Sequence, residues 1–320
     1  MKITVLMPFE AAGRARMQEA APEAEIRFYD RAEDCPEEEY RDTEVVIGNP
    51  PVNLIGSMKK LRWVQLRMAG TEPYAKAGVL PEDVILTNAT GAFGHAISEH
   101  MTAATLMLVK KLHLYRDNQR SGEWLDRGTV RSISSLTVLV LGLGDIGGQY
   151  AQRMKALGAY VIGVRRSDTR RPDYADELYL SDRLDELLPR ADVVAMALPN
   201  TPATVRIIDA RRLSLMKEGA YLINVGRGTA VDTEALCDAA ESGHLGGAAL
   251  DVTDPEPLPA GHRMWKIENI LVTPHISGYF HMRETYDNMV ELMIENVRRY
   301  AAGEELKNRV DRETGYRRLV

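Results

Sequence analysis

The sequence predicts an α/β protein built as two doubly wound parallel-sheet domains with a cleft between them, and three observations lead there. Its 320 residues suit two domains at about 150 residues each. Short apolar runs alternate with polar, helix-compatible stretches through most of the chain, which is the pattern of a parallel sheet covered by helices. No solenoid-length repeat, low-complexity tract or Ser/Gly linker breaks the alternation.

Strands are expected first at Ile3–Leu6, Glu25–Tyr29, Val45–Gly48, Trp63–Leu66 and Val84–Thr87. Met1 to Pro8 carries one lysine, a short apolar run and no cleavage site, so it reads as a strand and not as a signal peptide. From Ile97 through Met101, Ala104, Leu108, Leu112 and Tyr115, apolar residues recur at threes and fours. That period predicts one long helix with a buried face, leading into the second domain. Six strands are expected there: Leu136–Leu141, Tyr160–Val164, Val193–Leu198, Ala220–Val225, Ala248–Val252 and Ile270–Thr273. Tyr286, Met289, Val290, Met293, Val297 and Tyr300 then repeat at helical spacing in a closing amphipathic helix, expected to return to the first domain.

Composition narrows the function classes. With 46 acidic and 40 basic residues the net charge is −6, which argues for a soluble protein and against a nucleic-acid footprint. At this size roughly three quarters of the unfolded chain's surface can be buried, so neither disulfide nor structural metal is needed. Cys35 and Cys237 are the only cysteines and form no C-x-x-C pair, excluding a cysteine zinc site and fitting a reducing, cytoplasmic setting. No apolar run approaches the roughly 20 residues that span a bilayer. No metal is expected.

After the strand ending at Leu141 comes Gly142-Leu143-Gly144-Asp145-Ile146-Gly147, a G-x-G-x-x-G, with Gly148 beside it. Gly142 permits the tight turn, Gly144 lets backbone approach a pyrophosphate, and Gly147 lets helix pack on strand. The N–H groups opening the next helix, at Asp145 and Ile146, suit the anion. Ile146, Ala151, Met154 and Leu157 continue as a helix and Tyr160–Val164 as a strand, the context a Rossmann dinucleotide site requires. An NAD site wants an Asp or Glu about 20 residues on, for the ribose hydroxyls. The chain has Val164-Arg165-Arg166-Ser167 instead, two guanidiniums and a hydroxyl that suit a 2′-phosphate. NADP(H) is the expected cofactor, with NAD(H) second. Since Arg170 and Arg171 also lie nearby, the alternative is a merely basic, solvated loop.

Three further segments carry a resemblance: Asn224-Val225-Gly226-Arg227-Gly228, the run Ala249-Leu250-Asp251-Val252-Thr253-Asp254-Pro255-Glu256-Pro257-Leu258-Pro259, and Thr273-Pro274-His275-Ile276-Ser277-Gly278. Together with the glycine fingerprint, the chain resembles the D-isomer-specific 2-hydroxyacid dehydrogenases, over nearly its whole length. The resemblance implies a catalytic Arg227, Glu256 and His275. Elementary chemistry supports these roles. Reducing a 2-keto acid takes a hydride, a proton for the forming alkoxide and a cation to orient the carboxylate. Arg227 follows a strand and offers a planar fork. His275 follows another, and imidazole titrates nearest neutrality. Glu256 between prolines would fix the ring's tautomer. Taken singly, the three could be a loop arginine, an exposed turn acid and a core histidine.

The resemblance also implies that Met68, Ala69 and Gly70 form the loop whose amides cradle the substrate carboxylate, with Met68 where the family usually has glycine. Cofactor contacts are implied at Pro199 and Thr204, at Val225 and at Gly278. Asp251 would bond the nicotinamide carboxamide, or else cap a turn. Ser98, in Ser98-Glu99-His100, would line the nicotinamide pocket or pack on its helix. His113 is placed on the connecting helix, His244 and His262 at the surface, and His95 and His281 near the cleft edge. Residues 1–100 and 283–320 would make a flavodoxin-like substrate domain, and 101–282 the dinucleotide-binding domain, through which a homodimer is implied.

The leading expectation is an NADPH-dependent reductase of a small 2-keto acid, such as glyoxylate or hydroxypyruvate, giving the D-2-hydroxy acid. An NAD-dependent phosphoglycerate dehydrogenase-like enzyme fits less well, because Val164-Arg165-Arg166-Ser167 holds no acid and little chain follows His275. A non-catalytic nucleotide-sensing protein is the other alternative.

Overall fold

The first five apolar runs form parallel strands: β1 (Lys2–Leu6), β2 (Glu25–Tyr29), β3 (Val45–Gly48), β4 (Trp63–Gln65) and β5 (Ile85–Thr87). In this computed structural model, which describes residues 1–167, 170–278, 282–312 and 315, they lie in the order β2-β1-β3-β4-β5. That is the flavodoxin order, with its switch point between β1 and β3. β3 is wholly buried, as expected of a central strand covered on both faces.

The helix Arg283–Ala301 follows the period seen in the sequence and packs on the helix Ala11–Ala20. Tyr286 Oη donates to Pro8 O at 3.3 Å, and Arg16 forks onto Glu291 at 2.5 and 2.6 Å. Deeper in, buried Asn296 donates to Gln65 Oε1 at 2.8 Å. Gln65 Oε1 also accepts from Thr87 Oγ1 at 2.8 Å, and the same hydroxyl accepts from Trp63 Nε1 at 2.8 Å. These buried polar groups are mutually satisfied, as buried groups must be. One compact unit comprises Met1–Phe93 and Phe280–Val320, and a second Gly94–Tyr279.

The second unit begins with two helices, Gly94–Val109 and Leu112–Ser121, where the periodicity predicted one. Lys111 takes a left-handed φ of 56° and its Nζ donates to Arg127 O at 2.6 Å, which turns the chain. The apolar period therefore misleads past Val109: Leu112 is half exposed and His113 is buried in its place.

Seven parallel strands follow among the described residues: β6 (Thr137–Leu141), β7 (Tyr160–Arg165), β8 (Glu177–Leu180), β9 (Val193–Met196), β10 (Ala220–Asn224), β11 (Leu245–Leu250) and β12 (Ile270–Val272). Six were expected. The seventh, β8, is a four-residue edge strand, only half buried, and its apolar Leu178-Tyr179-Leu180 is too short a run to mark a strand. Glu177, at its start, is bonded by Arg190, Tyr160 and Tyr179, and Arg190 above all holds its carboxyl down at about 2. The spatial order is β12-β11-β10-β9-β6-β7-β8, a doubly wound Rossmann sheet with its switch point between β6 and β9. Because every strand is parallel, the turns after β6, β7, β9, β10, β11 and β12 all emerge at one edge. No helix among the described residues is long and apolar enough to cross a membrane.

Candidate active site

The glycine turn leaves β6 with Gly142 at φ +93°, its N–H donating to Val164 O at 3.0 Å. A Cβ on Gly147 would lie 2.0 Å from Gly142 O, whereas one on Gly144 meets nothing within 4 Å. The turn is thus closed on the side where the helix Asp145–Ala156 packs and open at its N-cap, Gly144. An open glycine beside the first N–H groups of a helix fits a pyrophosphate. Asp145 Oδ1 accepts from Gln149 Nε2 at 2.9 Å, and Ile146 is half buried in the same first turn.

At the end of β7, Arg165 is half buried and donates through Nη1 to Arg170 O at 3.3 Å; Arg166 and Ser167 are exposed. Arg170 and Arg171 follow in sequence, and Arg171 Nη1 donates to Ala175 O. After β9, Thr204 is buried, donating to Pro199 O at 2.7 Å and accepting from Thr201 N–H at 2.9 Å. Its hydroxyl shapes the Pro199 loop.

The Arg227 turn is set by the asparagine three residues before it. Asn224, the buried last residue of β10, accepts from Gly226 N–H at 3.0 Å and donates to Arg227 O at 2.9 Å, the turn an asparagine makes with backbone two and three residues on. Arg227 Nη1 donates to Gly226 O at 2.7 Å. Val225 is buried, its N–H on Met196 O at 3.1 Å. A Cβ on Gly228 would sit 1.9 Å from Thr253 O, so only glycine lets the segment leading to Glu256 lie against the arginine turn. Thr233 Oγ1 donates to Asp254 O at 2.7 Å and Thr253 Oγ1 to Pro255 O at 2.8 Å, fixing that segment.

The histidine turn follows β12. His275 Nδ1 stands 2.7 Å from Glu256 Oε1, with the two side chains 44% and 42% exposed, reachable from solvent. His275 has a left-handed φ of 53°, uncommon for a residue with a side chain, and such outliers cluster at functional sites. Asp251 holds it there. Only 2% exposed, its carboxylate accepts from Thr273 Oγ1 (2.6 Å), Ile276 N–H (2.9 Å), Ser277 N–H (3.0 Å) and Ser277 Oγ (2.5 Å). Those four bonds match its four acceptor sites. Half-buried Gly278 closes the turn. His100 Nε2 lies 3.4 Å from Thr273 Oγ1.

The other described histidines are engaged elsewhere. Burial pushes the His113 imidazole below its ordinary pKa. His244 Nε2 meets Leu213 O at 3.1 Å, and His262 Nε2 meets Glu234 at 3.1 Å. His95 pairs with Glu99 and Arg153. His281 lies outside the described residues. Ser98 is fully buried and donates to His95 O at 2.9 Å, which is packing within its own helix.

In the first unit, Met68, Ala69 and Gly70 follow β4 at its carboxyl edge. Met68 packs partly on that unit's core, and its sulfur accepts from Asn49 Nδ2 at 2.7 Å. Met68 O accepts from Ala89 N–H at 3.0 Å and Ala69 O from Asn88 Nδ2 at 2.8 Å. Among the described residues, no group of His, Cys, Asp and Glu could hold a metal.

Comparison with known proteins matches residues 102–277 to the model of the D-isomer specific 2-hydroxyacid dehydrogenase NAD-binding domain. A glyoxylate reductase of Thermococcus gammatolerans is 35% identical over 241 residues, covering 72% of this chain and 68% of its own. A D-isomer specific 2-hydroxyacid dehydrogenase family protein from Aeromonas salmonicida superposes with a TM-score of 0.85 at 31% identity, covering 97% and 99% of the two chains. An NADPH-dependent glyoxylate/hydroxypyruvate reductase from Sinorhizobium meliloti, solved with NADP and sulfate, superposes at 0.83 with 26% identity over 98% and 99%.

Proposed function

The chain belongs to the D-isomer-specific 2-hydroxyacid dehydrogenases, and from that premise we propose that it is an NADPH-dependent reductase of a small 2-keto acid of the glyoxylate or hydroxypyruvate kind, yielding the D-2-hydroxy acid. The observation that carries this reading is the 2.7 Å pair of His275 and Glu256, emerging from the same sheet edge as Arg227 and the glycine turn. The nicotinamide, when bound, supplies the hydride for the carbonyl carbon. His275 gives its proton to the carbonyl oxygen as charge develops there. Glu256, on Nδ1, fixes the ring and leaves Nε2 to face substrate. Arg227 holds the carboxylate and polarises the carbonyl. To the 68–70 loop of the first unit we assign amides that bind a substrate carboxylate. Of the two readings the sequence allows for Asp251, we adopt the one in which it holds the His275 turn.

The preference for NADPH rests on Arg165, Arg166 and Ser167 at the end of β7, the position where an NAD site would carry its acid. A 2′-phosphate is attracted where a ribose diol alone gains nothing. The expected result is a kcat/KM at least about tenfold higher with NADPH than with NADH, the worth of one charge-assisted contact, and an Arg165→Ala/Arg166→Ala variant that loses that margin. Assays of glyoxylate, hydroxypyruvate, pyruvate and branched keto acids with both cofactors test cofactor and substrate together. NADH equal to or better than NADPH would overturn the cofactor reading.

The same proposal includes a homodimer through the nucleotide-binding unit. Trp124, Leu125 and Val130 stand exposed on its segment 123–131, and an apolar row in solvent marks an interaction surface. Sedimentation should give twice the chain mass, and Trp124→Ser with Leu125→Ser should give monomer. A wild-type monomer at micromolar concentration sinks this part.

A further inference from the structure

Two asparagines of the first unit lie outside every role assigned above, yet both govern the 68–70 loop. Asn88, just past β5, is buried. Its Nδ2 donates to Ala69 O at 2.8 Å, while its Oδ1 accepts from Thr90 N–H at 3.2 Å. Ala89 N–H holds Met68 O at 3.0 Å. Both loop carbonyls are therefore drawn toward residues 88 and 89. When successive carbonyls of a tight turn are fixed to one side, the amides between them are turned away, and such amides form an anion-binding concavity.

Asn308 secures Asn88 from the far end of the sequence. Its Nδ2 donates to Thr90 O at 2.6 Å and to Asn88 O at 3.4 Å, and its own carbonyl accepts from Asn88 N–H at 3.3 Å. The segment around it runs antiparallel beside β5, with Thr87 bridged to Arg309 and Val310 N–H on Leu86 O at 2.8 Å. Asn308 itself has a left-handed φ of 56°, which asparagine tolerates better than most residues.

We propose that Asn88 and Asn308 are positioning residues for the substrate carboxylate: the C-terminal segment fixes Asn88, and Asn88 fixes the amides of Ala69 and Gly70 that receive the anion. This rests on the preceding reading that the 68–70 loop binds that carboxylate. The ligand it orients is any small 2-keto acid, recognised at its carboxylate end.

The test uses the full chain with Asn88→Ala, which removes the bond to Ala69, and Asn308→Gly, which keeps the left-handed backbone and removes only the side chain's bonds. Steady-state kinetics use glyoxylate and NADPH, with oxamate as a planar carboxylate inhibitor, and thermal melting reports the fold. In both variants KM for glyoxylate and Ki for oxamate should rise in parallel, by about tenfold for Asn88→Ala, the worth of a misplaced contact to a charged group. kcat and KM for NADPH should stay within about twofold. A role in stability alone would lower Tm and leave KM and Ki unmoved, and that outcome overturns the proposal. A wild-type enzyme inert to every 2-keto acid overturns the substrate reading instead, whereas an active wild type with unchanged variants overturns only the role of the asparagines.

Discussion

Replacing His275 with alanine is expected to lower kcat by roughly two to four orders of magnitude, the range contributed by a positioned proton donor, with NADPH affinity nearly unchanged. The imidazole is the group that the 2.7 Å bond to Glu256 orients. Because His275 sits at φ 53°, alanine would also strain the turn. An asparagine at this position would not, since that residue visits the left-handed region readily, so His275→Asn separates lost chemistry from lost geometry. Both variants should fall alike. Steady-state turnover alongside nucleotide binding by fluorescence makes the measurement, and a kcat within about threefold of wild type would remove His275 from proton transfer.

Arg227 should prove nearly as sensitive. Its alanine variant is expected to lose about two to three orders of magnitude in kcat/KM, the loss typical of one preorganised donor to developing charge. Lysine should restore little of it. The ammonium keeps the charge but lacks the planar fork that takes a carboxylate and a carbonyl together. The turn is prepared for that fork, with Asn224 on Arg227 O at 2.9 Å and Arg227 Nη1 on Gly226 O at 2.7 Å. An Arg227→Lys enzyme with wild-type kcat/KM for glyoxylate would show that charge alone suffices, against the assigned role.

Much of the fold is legible before any coordinates. Of the twelve strands among the described residues, all but β8 were expected: the central ones because a strand covered on both faces is apolar throughout, and the edge strand β2 through Ile26 and Phe28 alternating with the charged, exposed Glu25 and Arg27. β8 is hidden because its apolar part, Leu178-Tyr179-Leu180, is only three residues long, too short to tell a strand from a helix segment. The helix break at Lys111 is hidden for a related reason: Leu112 and Tyr115 keep the period, but nothing local says that the face they continue has left the core. In the site, Arg227, Glu256 and His275 are legible as members of spaced motifs. Asn224 carries a weak local signal, an asparagine at a strand end before a turn. Asn88 and Asn308 carry none, because the second meets the first across 220 residues.

The sequence by itself determines what is decided within a few residues: the glycine turn after β6, the arginines in place of an acid at the end of β7, the periods that separate strand from helix, and the residue types able to move a proton or hold an anion. Tertiary structure alone decides which of these meet. Strand order places β12 beside β11, and only then can Asp251 take four bonds from the turn that carries His275, and Glu256 reach the ring. Turn chemistry and periodicity act between chain neighbours. A hydrogen bond between distant residues exists only once the sheets have been assembled.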